Sequence, residues 1–154
     1  MTQRLDYEHT SPAGMKALGG VYMHVANSGL GKSLVDLVYL RVSLINGCAY
    51  CVDMHTRDLT AGKMPISKIA LVPVWRETGA LFTERERAAL EWAETLTLVS
   101  QTHAPESIYR AVAPHFNEKE IVDLTIAIGL MNTYNRIAIG FGRGPANIDL
   151  PNAA

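Results

Sequence analysis

The sequence predicts an all-α fold of six to seven helices in one domain over residues 1–154, with a C-x-x-C pair at the start of one helix. Three observations carry that prediction. Apolar residues recur at spacings of three and four through several long stretches, the period of a helix buried on one face. Helix-start signals stand where those stretches begin: Ser11-Pro12, Thr83 with Glu86, and Asn117 with Glu120. Period-two alternation is too weak to place a sheet.

Taken in order, residues 1–10 read as an extended lead-in, and Ser11-Pro12 opens a helix to about residue 26, closed by Asn27-Ser28-Gly29. Met15, Leu18, Tyr22 and Val25 give it a buried stripe; His24 falls off that stripe, toward the surface or an interface. The next helix, about residues 33–46, carries Leu34, Leu37, Val38, Leu40, Val42, Leu44 and Ile45 nearly all round, so it belongs to a core or an interface. Asn46-Gly47 ends it, since glycine takes the left-handed conformation that closes helices. Another helix starts at or near Cys48 and runs to Ala61-Gly62. Lys63-Met64-Pro65 connects it to a helix capped by Ser67, about residues 68–77, interrupted near Pro73. Trp75 there packs in the core, covers the thiol pocket or meets a subunit. The capping box at Thr83 opens an amphipathic helix to about residue 100, buried along Ala89, Trp92, Ala93, Leu96 and Val99, with a solvated Glu/Arg-rich start. Pro105-Glu106 begins a short helix to about residue 113. The stretch 118–140 is the longest and most apolar helix and must be central, and residues 142–154 form a loop or an arm over a neighbour.

Composition narrows the partners. With 14 basic against 15 acidic residues and a net charge of −1, the chain shows no footprint for nucleic acid or an anionic membrane. No apolar run approaches the roughly 20 residues of a membrane span. The N-terminal residues lack an apolar signal core, so a cytoplasmic location is expected, where a C-x-x-C is more often catalytic than structural. The 5 histidines include no pair at metal-ligand spacing.

The chemistry concentrates in Cys48-Ala49-Tyr50-Cys51-Val52-Asp53-Met54-His55. At about 100° per residue, Cys48, Cys51 and His55 share one helix face, and His55 is the i+4 neighbour of Cys51. A helix N-terminus and an imidazole both favour the thiolate. A pair three residues apart can close into a disulfide that traps a sulfenic acid. The chain has only these 2 cysteines, so neither has another intramolecular partner. Buried apolar cysteines, a zinc site with His55 and an inert disulfide are the competing readings; zinc lacks a second ligand pair. Asp36 and Ser43 are polar exceptions on one face of an otherwise apolar helix, and the Cys51–His55 cluster is their expected partner.

The run Leu37-Val38-Tyr39-Leu40-Arg41-Val42-Ser43-Leu44-Ile45-Asn46-Gly47-Cys48-Ala49-Tyr50-Cys51-Val52-Asp53-Met54-His55-Thr56-Arg57-Asp58 closely resembles the core of the AhpD-like alkylhydroperoxidase family, within the carboxymuconolactone decarboxylase superfamily. The resemblance implies a small all-α fold, homotrimers or homohexamers, and a thiol-dependent peroxidase that reduces hydroperoxides. It implies no cofactor beyond the redox-active disulfide, which an external dithiol such as lipoamide or a thioredoxin-like protein regenerates. The family places a glutamate twelve residues before the first cysteine at the far end of a proton relay; here Asp36 stands there, one methylene shorter. An Asn132-x-x-Asn135-Arg136 run is similar to relatives as well, and Asn132 and Asn135 are expected to brace the site or an oligomer seam, with Ser43 and Tyr50 supporting it. Cys51 is expected to attack the peroxide with His55 as base, and Cys48 to resolve. Helix-dipole logic alone points instead to Cys48 as the acidic thiol. The alternatives are a redox-sensing oligomer without turnover and a γ-lactone decarboxylase, whose branch lacks the C-x-x-C-x-x-x-H set.

Overall fold

Local capping chemistry sets most of the helix boundaries in the computed structural model, which describes residues 3–145. The expected arm beyond residue 145 lies outside the described residues. Among the described residues nine α-helices follow one another: α1 (Tyr7–Thr10), α2 (Pro12–Ala26), α3 (Lys32–Asn46), α4 (Ala49–Ala61), α5 (Ile66–Ala70), α6 (Glu84–Thr97), α7 (Val99–Thr102), α8 (Glu106–Val112) and α9 (Glu118–Phe141). Short 3₁₀ turns at Val72–Glu77, Gly79–Leu81 and Ala113–His115 join some of them, and the described residues hold no strand. Seven of the nine helices are five residues or longer, and α1 and α7 are single turns of four.

Several boundaries follow the sequence and several correct it. Both capping boxes are present, Thr83 with Glu86 and Asn117 with Glu120. Gly47 takes φ 70° at the end of α3, in the left-handed region. The lead-in is not wholly extended: the Asp6 side chain accepts the His9 N–H and caps α1. The Tyr7 ring lies 5.7 Å from that of Phe141 on α9, which ties this turn down. Helix α2 begins at Pro12, yet the Ser11 side chain makes no capping bond. Its stripe is not buried either, for Val25 alone is covered, Met15 and Leu18 are partly covered and Tyr22 is exposed. Pro65, not Ser67, precedes α5, and the helix expected over residues 68–77 breaks at Leu71 into a 3₁₀ turn. The long helix from Thr83 stops at Thr97 and restarts as α7, leaving Val99 exposed.

Helix α3 is the axle. One side, Val35, Val38 and Val42, packs with Ala89 and Ala93 of α6 and Leu124, Ile128 and Met131 of α9. The other, Leu37 and Leu40, meets Leu59 of α4 with Ile69, Val72, Trp75 and Phe82. An all-round apolar sequence is what a helix wedged between two cores requires, and each fully buried leucine contributes about 1.5–3 kcal/mol. Trp75 therefore belongs to the core and not to a thiol pocket; its Nε1 donates to Glu94, which also binds Arg41.

Candidate active site

The turn from α3 into α4 carries the cysteines. Cys48 is the N-cap of α4, with extended backbone, and its sulfur accepts the Cys51 N–H at 3.4 Å. The two sulfurs are joined as a disulfide across a Cα–Cα distance of 5.4 Å. Both residues are buried, with Ala138 of α9 and Tyr50 packed against them.

One turn on, His55 is 2% exposed, and neither ring nitrogen has a hydrogen-bond partner among the described residues. Its Nδ1 lies 3.8 Å from Asp58 Oδ2, and donor atoms of Asp36, His55 and Asp58 all fall within 4.8 Å of one another. The Tyr39 ring is 5.2 Å away, its buried hydroxyl also unpartnered within the described residues. Burial pushes the His55 imidazole down to about 4, with Asp58 opposing and Lys32 adding to the shift. The ring is thus neutral near pH 7.

Cys51 and His55 wall one cavity of ≈ 240 Å³, together with Tyr22, Tyr50, Asp58 and Arg143. Cys48 is not on that wall. The arrangement places a sulfur and a neutral base before the same small volume, with a carboxylate beside the base.

The remaining expected residues divide. Asp36 sits in the His55 cluster, but its Oδ2 is held by Lys32 Nζ at 2.5 Å. Burial raises its carboxyl above the usual range, and Lys32 pulls the other way. Ser43 does not meet the Cys51–His55 pair; its hydroxyl accepts from Asn135 Nδ2 at 3.1 Å, and its carbonyl accepts the Cys48 N–H at 3.0 Å. Asn46 Nδ2 donates to Asn132 Oδ1 and Asn135 Oδ1 at 3.0 and 2.9 Å. This network ties the end of α3 to α9 directly behind Cys48. Tyr50 is half-buried under the Arg143 guanidinium, 4.2 Å from its ring, and Arg143 also bonds the Tyr7 hydroxyl and Glu8.

Sequence reasoning missed Asn46, Arg143 and the place of Asp58. Asn46 read as a helix end and Arg143 as tail. Asp58 lies three residues beyond His55, a spacing that puts both on one helix face, and that was the signal for it.

Fold and site together define a helical protein with a buried disulfide one helical turn from a buried imidazole, Cys51 and His55 lining one cavity. The chain belongs to the carboxymuconolactone decarboxylase family, whose profile matches residues 12–95, more than half of it, and within that superfamily it is AhpD-like. It is 34% identical over 147 residues to the uncharacterized protein YdfG of Bacillus subtilis (strain 168), covering 96% of this chain and 99% of that one. A crystal structure from Agrobacterium tumefaciens, of a protein of unknown function put forward as the antioxidant defence protein AhpD, superposes with TM-score 0.91 at 39% identity, over 96% and 100% of the two chains. An uncharacterized peroxidase-related protein from Ralstonia eutropha JMP134, described as an alkylhydroperoxidase AhpD core, shares the fold at TM-score 0.79 and 23% identity, over 91% and 74%.

Proposed function

We propose that the chain is a dithiol peroxidase that reduces organic hydroperoxides at Cys51. The observation that carries this reading is the shared cavity: Cys51 and His55 line it and Cys48 does not. After reduction of the disulfide, the Cys51 thiol gives its proton to His55. The thiolate so formed supplies the negative charge that stabilises the imidazolium, so charge and proton move together. The thiolate attacks the peroxide O–O bond, giving a Cys51 sulfenic acid and an alkoxide, which takes a proton from His55 and leaves as the alcohol. The Cys48 thiol then attacks the sulfenic sulfur, water departs and the disulfide returns. An external dithiol, a lipoamide or a thioredoxin-like protein, restores both thiols.

Met15, Met54 and Met131 join the tyrosines on the cavity wall, which favours a substrate with an apolar body. We take the working form as a homotrimer or homohexamer in the cytoplasm. The test is peroxide consumption with a dithiol donor. The wild type turns over; Cys51→Ser loses both turnover and peroxide-driven sulfenic acid, and Cys48→Ser keeps the sulfenic acid but loses turnover. The reverse pattern transfers the first role to Cys48. A single stoichiometric oxidation without turnover identifies a redox sensor.

A further inference from the structure

We propose that Asp36, His55 and Asp58 form a binding site for a divalent transition-metal cation of the zinc class. Their donor atoms fall within 4.8 Å of one another, with His55 Nδ1 3.8 Å from Asp58 Oδ2. A tetrahedral zinc with bonds of 2.0–2.2 Å spaces its donors about 3.4 Å apart. Small side-chain rotations close the set. His55 is 2% exposed and both its nitrogens lack partners among the described residues, so coordination breaks no hydrogen bond there. The Asp58 side chain is 44% exposed and has room to turn. Asp36 is held by Lys32, whose own side chain is 71% exposed. A dication can replace that ammonium and release it to water. Two carboxylates match the charge of a dication, and a surface cavity lined by Lys32, Asp36 and Asp58 gives a route for the ion and for a water as fourth ligand. The imidazole selects zinc-like ions over magnesium or calcium, which prefer oxygen.

A cation held there occupies the imidazole that receives the thiol proton, so it switches turnover off. That consequence rests on the peroxidase reading; the binding itself does not.

The test is calorimetric titration of zinc chloride into the oxidised protein, in which both sulfurs are bonded to each other and supply no thiolate. One ion binds per chain, and magnesium chloride gives no heat. Affinity falls at least tenfold in Asp58→Asn, is unchanged in Asp53→Asn, an acid of the same helix paired with Arg57, and rises in Lys32→Gln, which removes the competing ammonium at an exposed position. Absence of zinc binding overturns the site, as does equal binding of magnesium. Equal zinc affinity in wild type, Asp58→Asn and Lys32→Gln overturns it too, because the ion would then sit on surface histidines. A peroxide assay run beside it separates the two readings: zinc binding without peroxide turnover removes the peroxidase and leaves the metal site.

Discussion

At the scale of single residues, His55 ties folding to pH. An exposed histidine titrates near 6.5, and burial lowers this one to about 4 against the opposing pull of the Asp58 carboxylate. Between those values the unfolded chain binds more protons than the folded one, so stability rises with pH. The contribution is complete above pH 6.5 and is lost as pH falls toward 4. A shift of this size corresponds to roughly 3 kcal/mol. Replacing His55 by Gln should flatten the slope of unfolding free energy against pH in that window; an unchanged slope in urea titrations at pH 4.5 and 6.5 would mean the imidazole is not neutral and buried in the fold. The neighbouring Asp36 shows how environment redirects a residue. Its side chain ends in a bond to Lys32 on its own helix, while Asp58 Oδ2 stands 3.8 Å from His55 Nδ1.

At the scale of elements, the α3–α4 turn depends on α9 through Asn135. That side chain is completely buried, accepts from Asn46 and donates to Ser43, whose carbonyl in turn takes the Cys48 N–H. Asn135→Ala removes the partner of the buried Ser43 hydroxyl and one of the two acceptors of the half-buried Asn46, and should cost about 1–3 kcal/mol, read as a lower urea midpoint. An Asn135→Ala protein as stable as wild type would show that the network is not holding the turn. Elements whose signals are local were legible in the sequence: Pro12, Gly47 and the two capping boxes mark helix ends by chemistry within four residues. The turn at Asp6 has a local cap too, but its Tyr7 is held by Phe141 at the far end of the chain, and the break at Leu98 is held by a side-chain bond beyond one helical turn. Thr102 Oγ1 bonds the Thr95 carbonyl across the break between α6 and α7. The site followed the same division. Cys48, Cys51 and His55 were legible from helical spacing, whereas the Asn46–Asn135 pair, 89 positions apart, needed the fold.

At the scale of the whole molecule, α2 and not α3 carries the surface suited to assembly. Helix α3 spends its apolar surface inside this chain, so it demands no partner. Helix α2 leaves Val21, Tyr22 and Met23 exposed at 37%, 43% and 57%. It also holds Gly19 and Gly20, where an added Cβ would meet nothing within 4 Å. Glycine inside a helix costs roughly 1 kcal/mol relative to alanine, and nothing among the described residues requires either residue to be small. A second copy packed closely on α2 does require it. The expected outcome is a trimer or hexamer in sedimentation velocity at micromolar concentration. Gly20→Leu on the exposed face should shift it to smaller species. The dissociated chain should unfold at no lower denaturant concentration than wild type diluted to the same state, since leucine is the better helix former. A monomeric wild type would refute the assembly, and an unshifted Gly20→Leu oligomer would place the seam away from α2. Because Tyr22 also walls the cavity in front of Cys51, a seam on α2 would reach the edge of the dithiol site, so subunit dissociation should alter the rate of peroxide reduction as well as the mass.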